Sequence, residues 1–253
     1  MTGTCLITGG ARGIGRATAL AAARDGWDVA INYRERADAA KAVVAEVQAL
    51  GRRAVAIQAD IALEVDILRL FSCVESDLGP LRGLVNSAGI ALGSRVAALD
   101  AAALGRMMQV NVIGLMLCCR EAARRMSTAH GGRGGSVVNI SSMAATIGGR
   151  SGASTYAASK GAVDVFTSGF AKEVAAEGIR VNVVRPGVTD TDIIAGSHGG
   201  PRRAEIEATI PMKRFASPAE VAEAVVWLLS DKASFVTGTH LNAGGGGFLV
   251  GAG

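Results

Sequence analysis

Short apolar runs alternate with longer helical patterns along the whole chain, and this alternation constrains the fold more than any other feature. The short runs, rich in Val, Ile, Leu and Ala, predict strands that are covered on both faces. The longer segments repeat apolar residues at intervals of three and four, which predicts amphipathic helices. A strand, a helix and a second strand in this order form a βαβ unit of a parallel sheet. We therefore predict an α/β fold with a doubly wound, mostly parallel sheet and helices on both faces.

The apolar runs and helical patterns define seven predicted strands and the helices between them. The strands lie near Thr4–Thr8, Asp28–Tyr33, Arg53–Gln58, Gly83–Asn86, Ser136–Ile140, Arg180–Arg185 and Thr239–Asn242. The helices lie near Gly13–Asp25, Ala37–Leu50, Glu64–Leu78, Ala101–Met126, Ser154–Glu177 and Ser217–Ser230. No Pro-rich or Ser-rich linker divides the chain, so we predict that residues 1–253 form one domain.

One segment, from Gly187 to Lys213, interrupts the alternation. It contains glycines, prolines and charges, with only a short helical pattern near Arg203–Thr209. A compact domain rarely contains so long an irregular connection unless it acts as a lid or a binding loop. The segment also follows the carboxyl end of a predicted strand, where such sheets bind ligands. We predict that residues 187–213 form a substrate loop.

Composition argues against several classes of protein. The 26 basic and 22 acidic residues are interspersed, so the net charge of +4 predicts a mixed surface and no nucleic-acid partner. The N-terminus lacks the pattern of a signal peptide, and no apolar run approaches the ~20 residues of a membrane span. We expect a cytoplasmic protein with no membrane partner. The cysteines and histidines have no metal-ligand spacing, so we expect no metal site; they are Cys5, Cys73, Cys118, Cys119, His130, His198 and His240.

A glycine-rich segment, T-G-G-A-R-G-I-G, joins the first predicted strand to the first helix. Glycines there let the backbone approach a pyrophosphate, and the helix N-terminus favours negative charge. The spacing G-x-x-x-G-x-G differs from the G-x-G-x-x-G fingerprint, and the alternative is a glycine turn without a ligand. The strand–turn–helix context favours a dinucleotide site. Its candidate contacts are Gly9, Ala11, Arg12, Gly13 and Ile14.

The ends of the next strands suggest which dinucleotide binds. No acid follows the second strand at Tyr33, and Arg34 together with Arg12 could clamp the 2′-phosphate of NADP. We therefore expect NADP(H) to be preferred, while Glu35 leaves NAD(H) possible. The alternative is that Arg34 and Arg36 are exposed loop charges paired with nearby acids.

Two further strand ends offer contacts for the adenosine. Asp60 and Ile61 follow the third strand, and Asn86, Ala88 and Gly89 close the fourth. A carboxylate and small residues suit the exocyclic amine of adenine and a ribose. The alternative for Asp60 is that it caps the helix that follows.

Tyr156 and Lys160 are four residues apart in a predicted helix, so their side chains share one face. A phenol titrates near pH ~10, and an adjacent cation lowers that value by stabilising the phenolate. Tyr156 is therefore a candidate proton donor and acceptor. On its own this spacing more often marks a solvated helix face.

The motifs T-G-G-A-R-G-I-G, N-S-A-G, N-I-S-S, Y-A-A-S-K and R-P-G-V-T-D-T occur in an order that resembles the short-chain dehydrogenase/reductase family. The resemblance covers practically the whole chain and is closest to bacterial reductases of the 3-oxoacyl-carrier-protein-reductase and glucose-dehydrogenase type. It implies a Rossmann fold and the use of NAD(P)H. It also implies that Pro186, Gly187, Val188 and Thr191 contact the cofactor.

The resemblance implies a catalytic role for four residues. Tyr156 would be the acid/base, and Lys160 would lower its pKa and bind the nicotinamide ribose. Ser142 would orient and polarise the carbonyl, and Asn111 would bend its helix and hold a water that links Lys160 to solvent. The alternatives are a strand-end cap for Ser142 and a helix-surface amide for Asn111.

The loop before Tyr156 departs from the family pattern. The usual separation of thirteen residues from serine to tyrosine would fall on Met143, whereas the N-I-S-S motif points to Ser142, fourteen residues before Tyr156. We follow the motif, because the loop Ala144–Thr155 holds three glycines and can absorb one more residue. Ser141 is the weaker candidate.

We expect reversible hydride transfer between C4 of NADP(H) and a small-molecule carbonyl or secondary alcohol, with Tyr156 passing the proton. The alternatives are a non-catalytic NADP(H)-binding redox sensor and an epimerase or dehydratase. The predicted substrate walls are Ile90–Val96, Ala144–Thr155 and Gly187–Lys213, with Arg95, Arg150, Arg202 and Arg203 as possible anion contacts.

The resemblance also suggests how the chain associates with other proteins. It implies a homotetramer or homodimer, and the apolar tail Gly244–Val250 could pack between subunits. Three arginines on one predicted helix could attract an acidic acyl carrier protein, although a subunit interface or a solvated face is the favoured interpretation. They are Arg120, Arg124 and Arg125.

Overall fold

The computed structural model describes residues 2–191 and 201–247. Its centre is a seven-stranded sheet of order β3-β2-β1-β4-β5-β6-β7 in which every pairing is parallel. The strands are β1 (Thr4–Thr8), β2 (Asp28–Tyr33), β3 (Ala54–Gln58), β4 (Leu81–Asn86), β5 (Gly135–Ile140), β6 (Ile179–Pro186) and β7 (His240–Ala243). The predicted fold class is confirmed, and each boundary differs from its prediction by two residues or fewer.

Helices connect successive strands, as βαβ crossovers require. They are α1 (Gly13–Arg24), α2 (Ala37–Ala49), α3 (Glu64–Leu78), α4 (Ala101–Met108), α5 (Leu115–Met126), α6 (Ala144–Ile147), α7 (Ser154–Val174), α8 (Pro201–Thr209) and α9 (Pro218–Leu229). A π-helical segment, Gln109–Gly114, joins α4 to α5 within the predicted helix Ala101–Met126. Short 3₁₀ helices cover Val96–Ala98, Thr128–His130, Ala175–Glu177 and Asp231–Ala233.

Two apolar cores lie on the two faces of the sheet. On one face, Leu6 and Leu84 pack with α3, α5 and α7. On the other face, Ile7 and Val85 pack with α1, α2 and α9. Neighbouring strand residues therefore serve opposite cores, which explains why the strands read as unbroken apolar runs instead of alternating ones.

The order of strands reverses direction between β1 and β4. The chain moves outward from β1 through β2 to β3, and then returns to place β4 on the other side of β1. In such sheets the connections diverge at this point and leave a crevice at the carboxyl ends of the strands. The glycine turn after β1 and the N-S-A-G segment after β4 both lie at this crevice.

The segment Ala101–Met126 is long and apolar enough to cross a membrane by length and composition alone, although Arg106, Gln109 and Asn111 interrupt its apolar residues. Its apolar residues include Leu115, Cys118 and Met126, which are buried against the sheet. A core helix of this kind passes the same test, and one such helix is weak evidence for a membrane span.

Only part of the predicted substrate loop is described. The predicted helix near Arg203–Thr209 is present and begins earlier, at Pro201. A parallel bridge between Thr189 and Ala216 closes the base of the loop. Residues 192–200, which include His198, and residues 248–253 of the apolar tail lie outside the described residues, as does the side chain of Arg202. Within the described ranges no group of three or more His, Cys, Asp or Glu is placed to hold a metal ion.

Candidate active site

The glycine turn after β1 forms a cradle that has no room for side chains. Gly9 has a φ of 64°, and a Cβ on it would lie 2.8 Å from the Cα of Ala88. A Cβ on Gly15 would lie 2.4 Å from the carbonyl oxygen of Gly9. The backbone of the turn is thus exposed to a ligand at the N-terminus of α1, with Arg12 at the N-cap. This geometry fits the pyrophosphate of a dinucleotide.

Neighbouring segments meet at the same turn. The hydroxyl of Thr8 accepts hydrogen bonds from the backbone amides of Ser87 and Ala88, at 3.1 and 3.2 Å. A Cβ on Gly13, whose φ is 53°, would lie 3.3 Å from the methyl carbon of Thr191. The structure therefore brings the glycine turn, the segment after β4 and the segment after β6 into contact, as the sequence motifs predict.

In the loop after β2, Arg34 is an exposed charge paired with a nearby acid, which is the alternative given in the sequence analysis. The guanidinium of Arg34 pairs with the carboxylate of Glu35, its neighbour in the chain, and both side chains are exposed. The backbone carbonyl of Arg34 accepts a hydrogen bond from Nε2 of Gln58 at 2.9 Å. A role for Arg34 in binding a 2′-phosphate stays a prediction.

Asp60 is held by several partners after β3. Its Oδ1 accepts from the backbone amide of Ala62 at 3.0 Å, and its Oδ2 lies 2.7 Å from Nη2 of Arg106 on α4. The N-cap of α3 is Leu63, so the alternative that Asp60 caps this helix is wrong. The carboxylate instead stabilises its own loop, because it accepts a hydrogen bond from the backbone amide two residues further along the chain.

Sequence reasoning missed the role of α4 and the π segment in holding this loop. Besides the Arg106 ion pair, Nε2 of Gln109 donates to the carbonyl of Ala62 at 3.1 Å. A Cβ on Gly114 would lie 2.1 Å from the carbonyl oxygen of Ile61, so only glycine allows the helix to approach so closely. No local signal connects these residues, since Arg106 and Asp60 are 46 positions apart.

Asn86 differs from the other predicted cofactor contacts. Its side chain is buried and donates to Oδ1 of Asn139 at 2.9 Å and to the thiol of Cys119 at 3.3 Å. The amide therefore faces the core, and Asn86 can reach a cofactor only through its backbone. The small residues after it, Ala88 and Gly89, are partly exposed at the crevice.

Asn111 is fully buried in the π segment, so the alternative of a surface amide is wrong. Its Oδ1 accepts from the backbone amide of Ile90, and its Nδ2 donates to the carbonyl of Ile90, both at 2.9 Å. Nδ2 also donates to the hydroxyl of Ser159 at 3.1 Å. The π segment thus places Asn111 between the start of a predicted substrate wall and the helix that carries Tyr156 and Lys160.

Tyr156 and Lys160 lie on α7 as predicted, and Ser142 faces Tyr156. The side chain of Ser142 lies close enough to Tyr156 to lower the pKa of the phenol. The hydroxyl of Ser141 donates instead to the carbonyl of Lys160 at 3.1 Å, which turns it away from Tyr156. The extra residue in the loop therefore leaves Ser142 in reach of Tyr156, in agreement with the register that the N-I-S-S motif predicts.

Lys160 is buried beneath the tyrosine. Its Nζ donates to the carbonyl of Ile140 at 2.8 Å and lies 5.8 Å from the centre of the Tyr156 ring. Burial lowers the pKa of Lys160 to about 8, and the negative charge of Asp164 partly opposes this effect. Asp164 lies one turn further along α7 and is paired with Arg185 at 2.8 Å.

The protonation of Tyr156 does not follow the sequence expectation. Burial raises the pKa of the phenol above its ordinary value, and the side chain of Ser142 only partly opposes this. The expected lowering by Lys160 is not found, because the ammonium donates to the Ile140 carbonyl and does not contact the phenolic oxygen. In this geometry Tyr156 is protonated at neutral pH and is placed to donate.

The charged residues proposed as anion contacts fall into two groups. Arg203 pairs with Asp190 and Glu207, both at 3.0 Å, whereas Arg95 and Arg150 have no acidic partner in the described chain. The arginines of α5 are also paired: Glu121, which is buried, accepts from all three. Two of them have a second acid, since Arg120 pairs with Glu64 and Arg125 with Glu75. They are Arg120, Arg124 and Arg125.

Comparison with known proteins places this site in a family. A family model described as enoyl-(acyl carrier protein) reductase matches residues 9–247. Over 249 residues the chain is 33% identical to 3-oxoacyl-[acyl-carrier-protein] reductase FabG of Staphylococcus aureus, covering 98% of this chain and 99% of the relative. This chain belongs to the short-chain dehydrogenase/reductase family. It is an oxidoreductase of that family.

Other members are more similar in sequence or have known structures. The uncharacterized oxidoreductase YgfF of Escherichia coli is 47% identical over 243 residues, covering 95% of this chain and 98% of the relative. A short-chain dehydrogenase from Burkholderia cenocepacia in complex with NADP has a TM-score of 0.89 and 37% identity, with 96% of each chain covered. A blue fluorescent protein from a metagenomic library in complex with NADPH has a TM-score of 0.90 and 35% identity, with 97% of this chain and 98% of that chain covered.

Proposed function

We propose that this short-chain dehydrogenase/reductase transfers hydride between NADP(H) and a small-molecule carbonyl or secondary alcohol. The arrangement of Ser142, Tyr156, Lys160 and Asn111 at the carboxyl edge of the sheet carries the proposal. The two structural relatives that hold NADP or NADPH support the choice of cofactor. When bound, the nicotinamide supplies or accepts the hydride, which is chemistry that no side chain of the protein can perform.

The residues of the glycine turn would hold the dinucleotide. The backbone of Gly9, Ala11, Gly13 and Ile14 would bind the pyrophosphate, because a Cβ on Gly9 would collide with Ala88 and one on Gly15 with the carbonyl of Gly9, so the turn stays free of side chains at these points. Asp60 and Ile61 would contact the adenine. The segment after β6, with Pro186, Gly187, Val188 and Thr191, would close over the nicotinamide end.

The preference for NADP over NAD rests on charge at the end of β2. Arg34 directly follows β2 and Arg12 is the N-cap of α1, and no acid takes the position after β2 that would bind a 2′-hydroxyl. Arg34 would exchange its exposed pairing with Glu35 for a doubly charged phosphate, which is the stronger partner. We therefore expect dual use with NADP preferred.

Tyr156 would give a proton to the carbonyl oxygen during reduction and take it back during oxidation. Its raised pKa keeps the phenol protonated, and the neighbouring hydroxyls of Ser142 and Tyr156 would both turn to the substrate oxygen when substrate binds. Two donors aimed at the oxygen on which negative charge develops lower the barrier for either direction of transfer. Binding both reactants in the correct orientation in one cleft lowers the barrier further.

Lys160 would stabilise the phenolate of Tyr156 by its charge from the interior and exchange protons with solvent. The ammonium lies below the ring, and its pKa of about 8 allows it to lose and regain a proton near neutral pH. The hydroxyl of Ser159 donates to the carbonyl of Tyr156 at 2.7 Å and accepts from Asn111, so one network fixes all three residues. Asn111 would connect Lys160 to solvent through the gap that the π segment opens in the helix.

The experiment follows NADPH oxidation with a panel of ketoacyl thioesters, quinones, diketones and lactones in wild type and Tyr156→Phe. We expect Tyr156→Phe to lose turnover by about a thousandfold or more, with the Kd for NADPH unchanged. Tyr33→Phe is the control for kcat alone, since it removes the chain's other phenol at a predicted cofactor contact at the end of β2, away from Lys160. Wild-type turnover in Tyr156→Phe would contradict the proposal, and tight NADPH binding without turnover of any substrate would favour a redox sensor.

We further propose that the protein is a cytoplasmic homotetramer or homodimer. Val65 on α3 and Val165 on α7 are 71% and 76% exposed on the outer side of one helical layer. Phe235 is fully exposed and Trp227 is partly exposed beside α9 on the other layer. Exposed apolar side chains in groups are typical of subunit interfaces. Light scattering of the purified protein tests this, and a monomer would contradict it.

A further inference from the structure

The loop with the extra residue before Tyr156 is built to present one arginine. Gly148, Gly149 and Gly152 all have φ values near +80°, at 75°, 76° and 83°, which side chains rarely adopt. The backbone amide of Ala153 donates to the carbonyl of Arg150 at 2.8 Å and closes a tight turn between them. Arg150 therefore stands at the exposed tip of a turn whose course is set by its glycines.

This turn lies where the three predicted substrate walls meet. Nη2 of Arg150 donates to the hydroxyl of Thr209 at 3.4 Å, which connects it to α8 of the substrate loop. The backbone amide of Ser94 donates to the carbonyl of Gly152 at 2.9 Å, which connects the turn to the wall after β4. Arg95 follows Ser94 directly, so the exposed residues Arg95 and Arg150 lie on adjoining predicted walls, and we refer to this exposed part of the walls as the cleft entrance.

The charge of this entrance is unbalanced. Residues 87–99 and 141–163 contain no Asp or Glu at all. In the third wall, Asp190 and Glu207 are both paired with Arg203. Glu205 is the remaining acid of α8 in the described part of the wall, and Asp192 lies outside that part.

The partners of Arg150 and Arg95 differ from those of most other arginines. Arg150 has only the neutral hydroxyl of Thr209, and no acidic side chain in the described residues pairs with Arg95. By contrast, Arg185, Arg203 and Arg214 each bond a carboxylate within 3.0 Å. Two guanidinium groups without acids at the entrance of a cleft form a site of positive potential.

We propose that Arg150, assisted by Arg95, binds an anionic group of the substrate, a carboxylate or a phosphate, held several atoms away from the reacting carbonyl. The inference rests on the proposed function and adds the class of substrate. The planar fork of a guanidinium matches both anions through two parallel hydrogen bonds. An anion would replace the long bond to Thr209, while Ser142 and Tyr156 hold the carbonyl.

Matched pairs of substrates test the proposal by turnover. Levulinate and methyl levulinate differ only in a carboxylate, and the acetoacetyl thioesters of 4′-phosphopantetheine and of pantetheine differ only in a phosphate. We expect Arg150→Ala to raise KM for the anionic members about tenfold, with kcat retained and the neutral members unaffected. Arg95→Ala should act in the same direction, and Arg150→Lys should restore part of the loss. The pair that responds distinguishes a carboxylate from a phosphate.

A binding measurement does not depend on turnover. Calorimetry would compare the Kd of glutarate and of 4′-phosphopantetheine in wild type and Arg150→Ala, with the cofactor site saturated by NADP⁺. Arg124→Ala is the control, since Arg124 is equally exposed but lies on α5. We expect Arg150→Ala alone to weaken binding of one of the two anions about tenfold.

The proposal would be overturned if each anion bound wild type and Arg150→Ala with the same Kd. It would also be overturned if Arg150→Ala changed KM equally for the charged and the neutral member of a pair. Reduction of the neutral esters would then leave the proposed function intact. Failure to reduce any member of either pair would count against the proposed function, while the calorimetric result would still decide whether Arg150 binds an anion.

Discussion

The proton relay and the cleft entrance lie in one site, yet they are held in opposite ways. Asn111 and Lys160 are buried, and each donates to a backbone carbonyl at 2.9 Å or less. At the entrance, Arg150 has one bond of 3.4 Å, and Ile147 is 44% exposed. Buried polar groups without partners are costly, so the relay can hardly change without loss of the fold. Side chains at the entrance can be replaced at little cost to the fold, so we expect substrate preference to be decided there.

The largest expected effect on stability comes from a substitution of Gly15, which lies in the tightly packed region of the site. In Gly15→Ala the new Cβ would lie 2.4 Å from the carbonyl of Gly9, and backbone cannot yield as a flexible side chain does. We expect a loss of more than about 4 kcal/mol in the free energy of unfolding and loss of dinucleotide binding. Gly105→Ala is the control, because a Cβ there meets open space, and it should be neutral or stabilising. Similar melting temperatures for the two variants would break the comparison.

Asn111→Ala comes next. It leaves the amide and the carbonyl of Ile90 without their partners and removes a donor to Ser159. We expect a loss of about 4 kcal/mol, as buried unpaired groups cost about 1–3 kcal/mol each, together with a large fall in kcat. Ser159→Ala should cost less, because Asn111 keeps both bonds to Ile90. Chemical denaturation and kcat would measure this, and an Asn111→Ala variant as stable as wild type would show that the relay is not rigid.

Lys160→Met should have the opposite effect on stability. The folded pKa of about 8 is below the ordinary value of 10.5, so burial of the charge costs up to about 3 kcal/mol at pH 7. Between pH 8 and 10.5 the unfolded chain binds this proton and the folded chain does not. The stability of wild type therefore rises with pH in that window, and the cost is fully present below it.

The test compares the free energy of unfolding of wild type and Lys160→Met from pH 7 to pH 10.5. We expect the variant to be inactive yet more stable at pH 7, with the difference shrinking as the pH rises. Lys172→Met on the exposed side of α7 is the control and should show no such trend. A variant less stable than wild type at every pH would mean that the bond to Ile140 outweighs the buried charge.

The smallest expected effect concerns Arg106, which is intermediate between the two regions. Its ion pair with Asp60 is partly exposed, with 34% and 22% of the two side chains accessible. In Arg106→Ala the Asp60 carboxylate loses the ion pair that holds it in position to contact adenine. We therefore expect the KM and Kd for NADPH to rise about tenfold with kcat retained. Arg106→Lys should restore part of the affinity. A fall in kcat without a change in Kd would place Arg106 with the relay instead of with the adenosine site.

The sequence alone predicts the fold and the main positions of the site. The strands, the glycine turn and the Tyr156–Lys160 spacing are recognised from local sequence periodicity or composition. The geometry of strands, turns and helices determines the structure that each of these patterns forms. The N-I-S-S register also predicts the serine that lies beside Tyr156: Ser142 lowers the pKa of the phenol, whereas the hydroxyl of Ser141 donates to the carbonyl of Lys160 on the same helix. The interaction between Gly13 and Thr191 follows from the ordered motifs at one edge of the sheet.

Contacts between distant segments could not be predicted in this way. The ion pair of Arg106 with Asp60 and the approach of Gly114 to Ile61 depend on how helices pack on the sheet. The direction of the pKa shift of Tyr156 was wrong, because spacing on a helix says nothing about burial or about the carbonyl that Lys160 finds. The inward turn of Asn86 likewise depends on a partner on the neighbouring strand.

Asn86 and Asn139 occupy paired positions on β4 and β5. Asn86 donates to Asn139, which in turn donates to Thr167 of α7 at 2.9 Å. A slip of β5 by one residue would turn Asn139 toward the opposite core and break both of these buried hydrogen bonds. Apolar strands such as these could otherwise slide past one another at little cost. The two asparagines therefore favour the observed register of β4 and β5 and make misaligned pairing of these strands during folding unfavourable.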